Sequence, residues 1–274
     1  MSLRNKHEAL TARLRALGRV AVAYSAGIDS TYLLKAATVT LGAENALGLT
    51  AQTPSLPAAE LAQARRIAAV HGFQHVVVAT HEIDDPRYAA NPVNRCYFCK
   101  SELYTTLAPL AQARGFPCVA SGTNADDLGD WRPGLAAAAE SGVVHPLLEA
   151  GLTKEEIRTL AREAGLENWA KPAAACLASR FPHGTAVTRE RLAMVEAAED
   201  YLRAEVGLGQ LRVRWIDGSA RIECEREEMG RVLGRRSEIA GRLEALGFRE
   251  VSLDLRGYRR GALHEELVQI AVPR

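Results

Sequence analysis

The sequence predicts an α/β fold, a doubly wound parallel sheet joined to a second, smaller α+β domain, and three observations predict it. Apolar strands of five to seven residues alternate with segments of helical periodicity over the first half of the chain. A small-residue loop, SAGIDS at 25–30, stands between the first strand and a helix. The polar stretches 25–30, 50–53, 81–100 and 121–132 all follow strands. In such sheets ligands sit beyond the carboxyl ends of the strands.

The elements follow in order. MSLRNKHEALTARLRALG is a charged amphipathic helix, and AVAY at 21–24 is a strand running into Ser25. Helix 29–40 leads to strand 46–50, the turn-rich AQTPSLPAA, helix 58–71 and strand 74–80. HEIDDPRYAANPVN precedes helix 97–114, then come strand 116–120 and the polar loop SGTNADDLGDWRPG. Thr153 with Glu156 three residues on has the spacing of a capping box at a helix start. NWAKPAAACLASRFPHGT reads as a loop. The α+β part begins with helix 188–205, followed by strands LRVRWID and ARIEC joined through Asp217–Gly218, a hairpin signal. Helical patterns over 226–246 and the strand REVSLDL at 249–255 close it. The expected domains are 1–180 and 181–274.

A chain of 274 residues can bury the core of one large domain or two. A net charge of +1 gives no electrostatic argument for nucleic acid or an anionic membrane. No apolar run approaches the ~20 residues that span a bilayer. The first helix lacks the apolar core of a signal peptide, so a cytoplasmic protein is expected. Five cysteines, an odd number in a chain this long, do not form a disulfide framework. Cys118 and Cys224 sit in strand patterns and read as core thiols.

In SAGIDS, small residues let backbone N–H groups approach a phosphate, and the following helix adds the partial positive charge of its N-terminus. Ser25 and Ser30 offer hydroxyls, and Asp29 can hold a magnesium ion that bridges phosphates. A Walker loop needs a Lys before its last Ser or Thr, and the dinucleotide fingerprint needs G-x-G-x-x-G; neither is present. The loop resembles the S-G-G-x-D-S loop of the ATP pyrophosphatases, the PP-loop or adenine nucleotide alpha hydrolase-like superfamily. Ala26 stands where that pattern has its first Gly. Alanine is tolerable there if the position keeps an ordinary negative φ, although it narrows the room for a phosphate. Ala23, Ser25, Gly27, Asp29, Ser30, Thr50, Gly122, Thr123, Asp127 and Arg132 are the candidate ATP contacts.

Asp126, Asp127 and Asp130 cluster in one loop, and such carboxylates repel unless a cation or an Arg neutralises them. Magnesium held by Asp29 and Asp126, with Arg132 on a carboxylate or phosphate, would do so. Cys96 and Cys99 in RCYFCK form a C-x-x-C pair: a redox motif, half a zinc site or part of an iron–sulfur site. Cys176 is a third thiol, and with Cys96 and Cys99 it could hold a [4Fe–4S] cluster with one iron open. Alternatively it is a lone reactive thiol activated by Lys171, Arg180 and the nucleotide's metal. Arg212 and Arg214 share one strand face, with Val213 and Trp215 on the other. Together with Arg259 and Arg260 in GYRRG, and with Arg180, they form a candidate anion pocket. Glu223 is a weaker candidate for a cation or counter-ion role.

SAGIDS, NPVNRCYFCK, GTNADDLGDWRPG, LTKEEIR, KPAAACLASRFPHGT and VSLDLRGYRRG occur in that order. Together they resemble the LarE family, the sulfur insertases that build the nickel-pincer cofactor of lactate racemase. The resemblance implies that ATP adenylates a carboxylate of a pyridinium 3,5-biscarboxylic acid mononucleotide, releasing pyrophosphate, and that sulfur then displaces AMP. In one branch of the family a cysteine at the position of Cys176 is the sulfur donor and ends as dehydroalanine. In another, three cysteines hold a cluster that carries the sulfide, and the presence of Cys96 and Cys99 points to this branch. A homo-oligomer is also implied, with a hexamer as one candidate assembly. Two rival readings are a thiolation enzyme acting on transfer RNA and a non-catalytic ATP-binding sensor. The first lacks a basic, aromatic-rich appendage, and the second leaves the three cysteines without a task.

Overall fold

Two sheets organise the chain in the computed structural model, which describes residues 1–129, 133–172 and 174–259. The described residues divide into two units: one of 1–88 and 93–175, the other of 89–92 with the chain from Cys176 onward.

The first unit holds four parallel strands: β1 (Val20–Ala23), β2 (Ala46–Gln52), β3 (Gln74–Ala79) and β4 (Val119–Ala120), in the order β3-β2-β1-β4. The chain winds outward from β1 to β3 and then returns to the other side of β1. The gap between β1 and β4 is therefore the switch point, where an open parallel sheet leaves a crevice. Helices α1 (Leu3–Leu17), α2 (Ile28–Leu41), α3 (Ala58–His71) and α8 (Lys154–Glu163) bury Leu10, Leu33, Ile67 and Ile157 with Val20 and Val22. On the opposite face, α5 (Arg95–Ala113) and α6 (Pro133–Glu140) bury Tyr104, Leu107 and Ala138 with Ala21, Leu47 and Leu49. Successive β1 side chains thus enter different cores, the period-two alternation of a strand covered on both faces. Short helices α4 (Pro86–Ala89) and α7 (Pro146–Glu149) complete the helices of this half of the chain. Strand β4 is shorter than the expected 116–120. Pro117 has no N–H to give, and the ladder starts with the carbonyl of Cys118, which accepts from Ala21 N at 3.1 Å.

The second unit is built on β5 (Leu211–Ile216), β6 (Ser219–Cys224) and β7 (Val251–Leu253), with β5–β6 antiparallel and β6–β7 parallel. Asp217 and Gly218 both have positive φ, 47° and 86°, as a type I′ hairpin turn requires. Helix α9 (Arg189–Ala204) packs along β5, and α10 (Met229–Gly234) and α11 (Arg236–Ala245) make the crossover to β7. Asn91 belongs to this unit and donates its amide to the carbonyl of Pro182 at 2.7 Å. Among the described residues no helix is long and apolar enough to cross a membrane.

Candidate functional site

The SAGIDS loop turns directly from β1 into α2 at the switch point. Ser25 N–H donates to Ser30 Oγ at 3.2 Å, and Gly27 N–H donates to Ser25 Oγ at 3.3 Å. Ser30 and Thr31 donate their hydroxyls to the carbonyl of Gly27, at 3.1 and 2.9 Å. The loop therefore closes on itself around the first turn of α2. Ala26 has φ +56° and is fully buried, so the ordinary negative φ expected for an alanine here is not what the chain adopts. A Cβ in the left-handed region costs about 1–2 kcal/mol, which the surrounding contacts must offset.

Gly122, just beyond β4, faces the same turn. A Cβ built on it would stand 2.8 Å from Ser30 N and 3.1 Å from the carbonyl carbon of Asp29, so the absence of a side chain is what lets the two segments meet. Ser121 Oγ lies 2.8 Å from Thr123 Oγ1 and 2.7 Å from His145 Nδ1. Burial pushes the His145 pKa down, favouring the neutral ring. Ala23 is the last residue of β1, and Thr50 joins it from β2 by donating its hydroxyl to Tyr24 O at 2.6 Å. His75 Nε2 lies 2.8 Å from the same hydroxyl oxygen and, with the Thr50 proton already committed, is the donor.

The acidic loop does not act as one cluster. Asp127 accepts from Asn124 N–H at 3.0 Å, whereas Asp126 turns to α8 and accepts from Lys154 N–H at 2.8 Å. The Lys154 ammonium is ion-paired with Asp29, whose other oxygen accepts from Asn124 Nδ2 at 3.4 Å. One lysine thus serves both carboxylates expected to hold magnesium. Asp130 and Arg132 lie outside the described residues.

Cys96 and Cys99 fall in the first turns of α5, three residues apart and so on one helix face; Cys96 is exposed and Cys99 half-buried. Nearby, Arg87 pairs with Asp85 and lies over the Phe98 ring at 5.0 Å, and Tyr97 donates to Glu140 at 2.6 Å.

The second unit carries a buried cationic cluster. Arg180, 2 % exposed, grips Glu199 with two bonds of 2.9 Å and donates to Cys176 O at 2.9 Å and Ser179 Oγ at 3.1 Å. Cys176 is exposed and caps the 3₁₀ turn Leu177–Arg180. Burial opposes the charge of Glu199, but the bonds and charge of Arg180, the charge of Arg203 and the Val213 N–H outweigh it and hold the carboxyl below its usual range. Arg214 is ion-paired with Glu223 at 2.8 Å and donates to Ser179 O at 2.8 Å; Arg221 shares Glu223 at 3.4 Å. Arg212, between these pairs, bonds to no carboxylate among the described residues. It donates to Leu211 O at 2.7 Å and lies over the Tyr258 ring at 5.1 Å. Burial and the neighbouring Arg180 lower its pKa from the ordinary guanidinium value. Among the described residues three inner guanidiniums thus stand with two carboxylates, and those two also serve Arg203 and Arg221. Such a positive excess suits a phosphate. Arg259 is half-buried, and Arg260 lies outside the described residues.

Residues of these sites that the sequence did not single out include Lys154, Asn124 and Glu199, as well as Asn168, which donates to Ala26 O at 2.9 Å. Lys154 follows the capping Thr153 directly, a position that aims its backbone N–H out of the helix start. Glu199 occupies an inward position on α9, where a lone acid among apolar residues signals a buried partner. Asn168 and Asn124 carry no pattern. Among the described residues no three His, Cys, Asp or Glu side chains are grouped so as to hold a metal ion.

No family model matches the chain. Over 98% of its length it is 37% identical to the pyridinium-3,5-bisthiocarboxylic acid mononucleotide synthase of Lactiplantibacillus plantarum, covering 97% of that protein. It is 45% identical over 97% of its length to an uncharacterized protein of Synechocystis, all of which it covers. A third relative, an uncharacterized protein of Methanocaldococcus jannaschii, is 30% identical over 88% of the chain.

Proposed function

The chain belongs to the LarE family of sulfur insertases, and from that premise we propose that it makes a thiocarboxylate on a pyridinium 3,5-biscarboxylic acid mononucleotide at the expense of ATP. A substrate carboxylate oxygen attacks the α-phosphorus, pyrophosphate leaves, and an acyl adenylate forms. Adenylation has turned a poor leaving group into a good one, so sulfur attacks the acyl carbon and AMP departs. The observation that carries this reading is the pairing of two anion-binding arrangements in one family member. One is the self-closed SAGIDS loop at an N-terminus of α2; the other is the Arg180–Arg212–Arg214 cluster beside Cys176.

In the proposed roles, Ser25, Gly27 and Ser30 bind the pyrophosphate, and Ala23, Thr50, Gly122, Thr123 and Asp127 shape the rest of the nucleotide site. The hard carboxylate oxygens of Asp29 and Asp126 fit magnesium, which would supply charge neutralisation at the phosphates. Lys154 then passes from Asp29 to the phosphates. Arg212 and Arg214 hold the substrate phosphate, Arg180 and Glu199 position the Cys176 loop, and Glu223 serves as counter-ion.

Cys176 is either the third ligand of a [4Fe–4S] cluster or the sulfur donor itself. Cys96 and Cys99, one helical turn apart and open to solvent on one side, suit two ligands of a [4Fe–4S] cluster, which would supply inorganic sulfide. Without a cluster, the Sγ of Cys176 attacks the adenylate itself. Loss of its Cα proton then breaks the Cβ–S bond, leaving dehydroalanine and the thiocarboxylate.

Anaerobic purification with iron analysis, followed by intact mass after turnover, tests the whole reading. Iron with unchanged mass supports the three-cysteine cluster. A loss of hydrogen sulfide, about 34 Da, without iron assigns the sulfur to Cys176. No AMP formed from ATP and substrate overturns the assignment. Filter binding to bulk transfer RNA is expected to be negative, and a homo-oligomer is expected in solution.

A further inference from the structure

The geometry points to Asn168 as a positioning residue of the nucleotide loop, one that sets the orientation of the Ala26–Gly27 peptide and so the affinity for ATP; the inference rests on the ATP use proposed above. Asn168 lies in the turn after α8 and is 3 % exposed. Its Nδ2 donates to Ala26 O at 2.9 Å and to Thr31 Oγ1 at 3.0 Å. A carbonyl only accepts, so the amide's NH2 end must face the loop. Its Oδ1 is buried and accepts from no described residue, so the side chain is anchored through the NH2 group alone. A buried acceptor without a partner is costly, and the two donated bonds offset that cost.

The carbonyl of Ala26 and the N–H of Gly27 are opposite ends of one rigid peptide plane. Asn168 holds the oxygen end, and Ser25 Oγ receives the hydrogen end at 3.3 Å. The plane is pinned at both edges, and its tilt decides where the Gly27 N–H points. Ala26 makes this pinning necessary. At φ +56° an alanine tends to relax toward negative φ, and doing so would swing the plane and turn the Gly27 N–H out of the loop. A glycine at 26 would hold the same orientation without help. The second bond of Asn168, to Thr31 Oγ1, ties the same clamp to the first turn of α2, since that hydroxyl donates to Gly27 O.

The test is a double-mutant cycle on the full chain, with Mg·ATP titrated calorimetrically into the parent, Asn168→Ala, Ala26→Gly and the double variant. Asn168→Ala is expected to weaken Mg·ATP binding about tenfold, the loss of one buried hydrogen bond to a strained loop. In the Ala26→Gly background the same substitution is expected to cost no more than about threefold. The KM for ATP should rise in parallel while the KM for the pyridinium substrate stays, a split that general loosening of the fold would not produce. Asn168→Leu, which keeps the approximate volume and removes the donor without adding charge, serves if the alanine variant does not fold, and should be rescued by Ala26→Gly in the same way. Equal losses in both backgrounds, or no loss at all, overturn the inference. A parent chain that does not bind Mg·ATP overturns the functional reading first, and is told apart because it precedes any substitution.

Discussion

The ammonium of Lys154 rests on the carboxylate of Asp29, a residue 125 positions away in the chain and one step inside the helix that the SAGIDS loop opens. In the proposed nucleotide site the pair places a cation beside the backbone of the loop. Without Lys154 the Asp29 carboxylate would confront an incoming triphosphate with like charge. Lys154→Met is therefore expected to raise the KM for Mg·ATP about tenfold or more, read as pyrophosphate release. An unchanged KM would reduce the pair to a structural contact.

Arg212 should separate stability from function. Its guanidinium is buried with a backbone carbonyl and a ring as partners, and among the described residues no carboxylate is bonded to it. Arg212→Met is expected to leave the unfolding midpoint unchanged or raised. The KM for the phosphate-bearing substrate should rise about 10- to 100-fold, the worth of a charge-assisted hydrogen bond, with ATP binding intact. A variant that loses stability and keeps its KM would show that the residue serves the fold.

Glu199 predicts a pH signature. Its folded pKa is held below the ordinary value of 4.5, so its contribution to stability is full above that value and is lost as pH falls through the folded pKa. Glu199→Gln breaks a buried pair and is expected to cost about 3 kcal/mol at neutral pH. The gap between parent and variant should close as the pH is lowered below about 4.5. Thermal unfolding across pH 3–7 reads it, and a gap independent of pH would contradict the assignment.

Ala26→Gly sets two effects against each other. Relief of the left-handed alanine gains about 1–2 kcal/mol, while the lost burial of a methyl costs about 0.8 kcal/mol and the freer unfolded chain costs nearly as much again. The midpoint is expected to stay within about 1 kcal/mol of the parent, with ATP use preserved or improved. A large loss of activity would mean that the Ala26 methyl itself contacts the nucleotide.

The parallel sheet could be read from the chain because it depends on local periodicity: AVAY, ALGLT and QHVVVAT declare their strands, and SAGIDS its turn, whereas the switch point needed the strand order. The shared face of Arg212 and Arg214 followed from strand alternation alone. The buried pairing of Arg214 did not, because it depends on Glu223 on the neighbouring strand, and that of Arg180 depends on Glu199 on α9. Ala26 illustrates the same limit. A residue type reports what backbone it prefers, whereas the φ it adopts is decided here by Asn168, 142 residues onward. Lys154 lay in a motif that reads as a helix start, and nothing local in it announces an ion pair with Asp29. Interactions closed by the fold are invisible to periodicity.

The burial of Arg212 beneath Tyr258 has one more consequence, and it concerns the surrounding electrolyte. A charge at the surface is screened within a Debye length of ~8 Å at physiological ionic strength, so an anion site built there weakens as salt is added. A guanidinium already withdrawn from bulk water is poorly reached by mobile counter-ions, and much of its dehydration occurs on folding rather than on binding. In its proposed role, its hold on a phosphate should persist at salt concentrations that silence a surface patch, leaving recognition of the substrate largely indifferent to the ionic conditions of the cell.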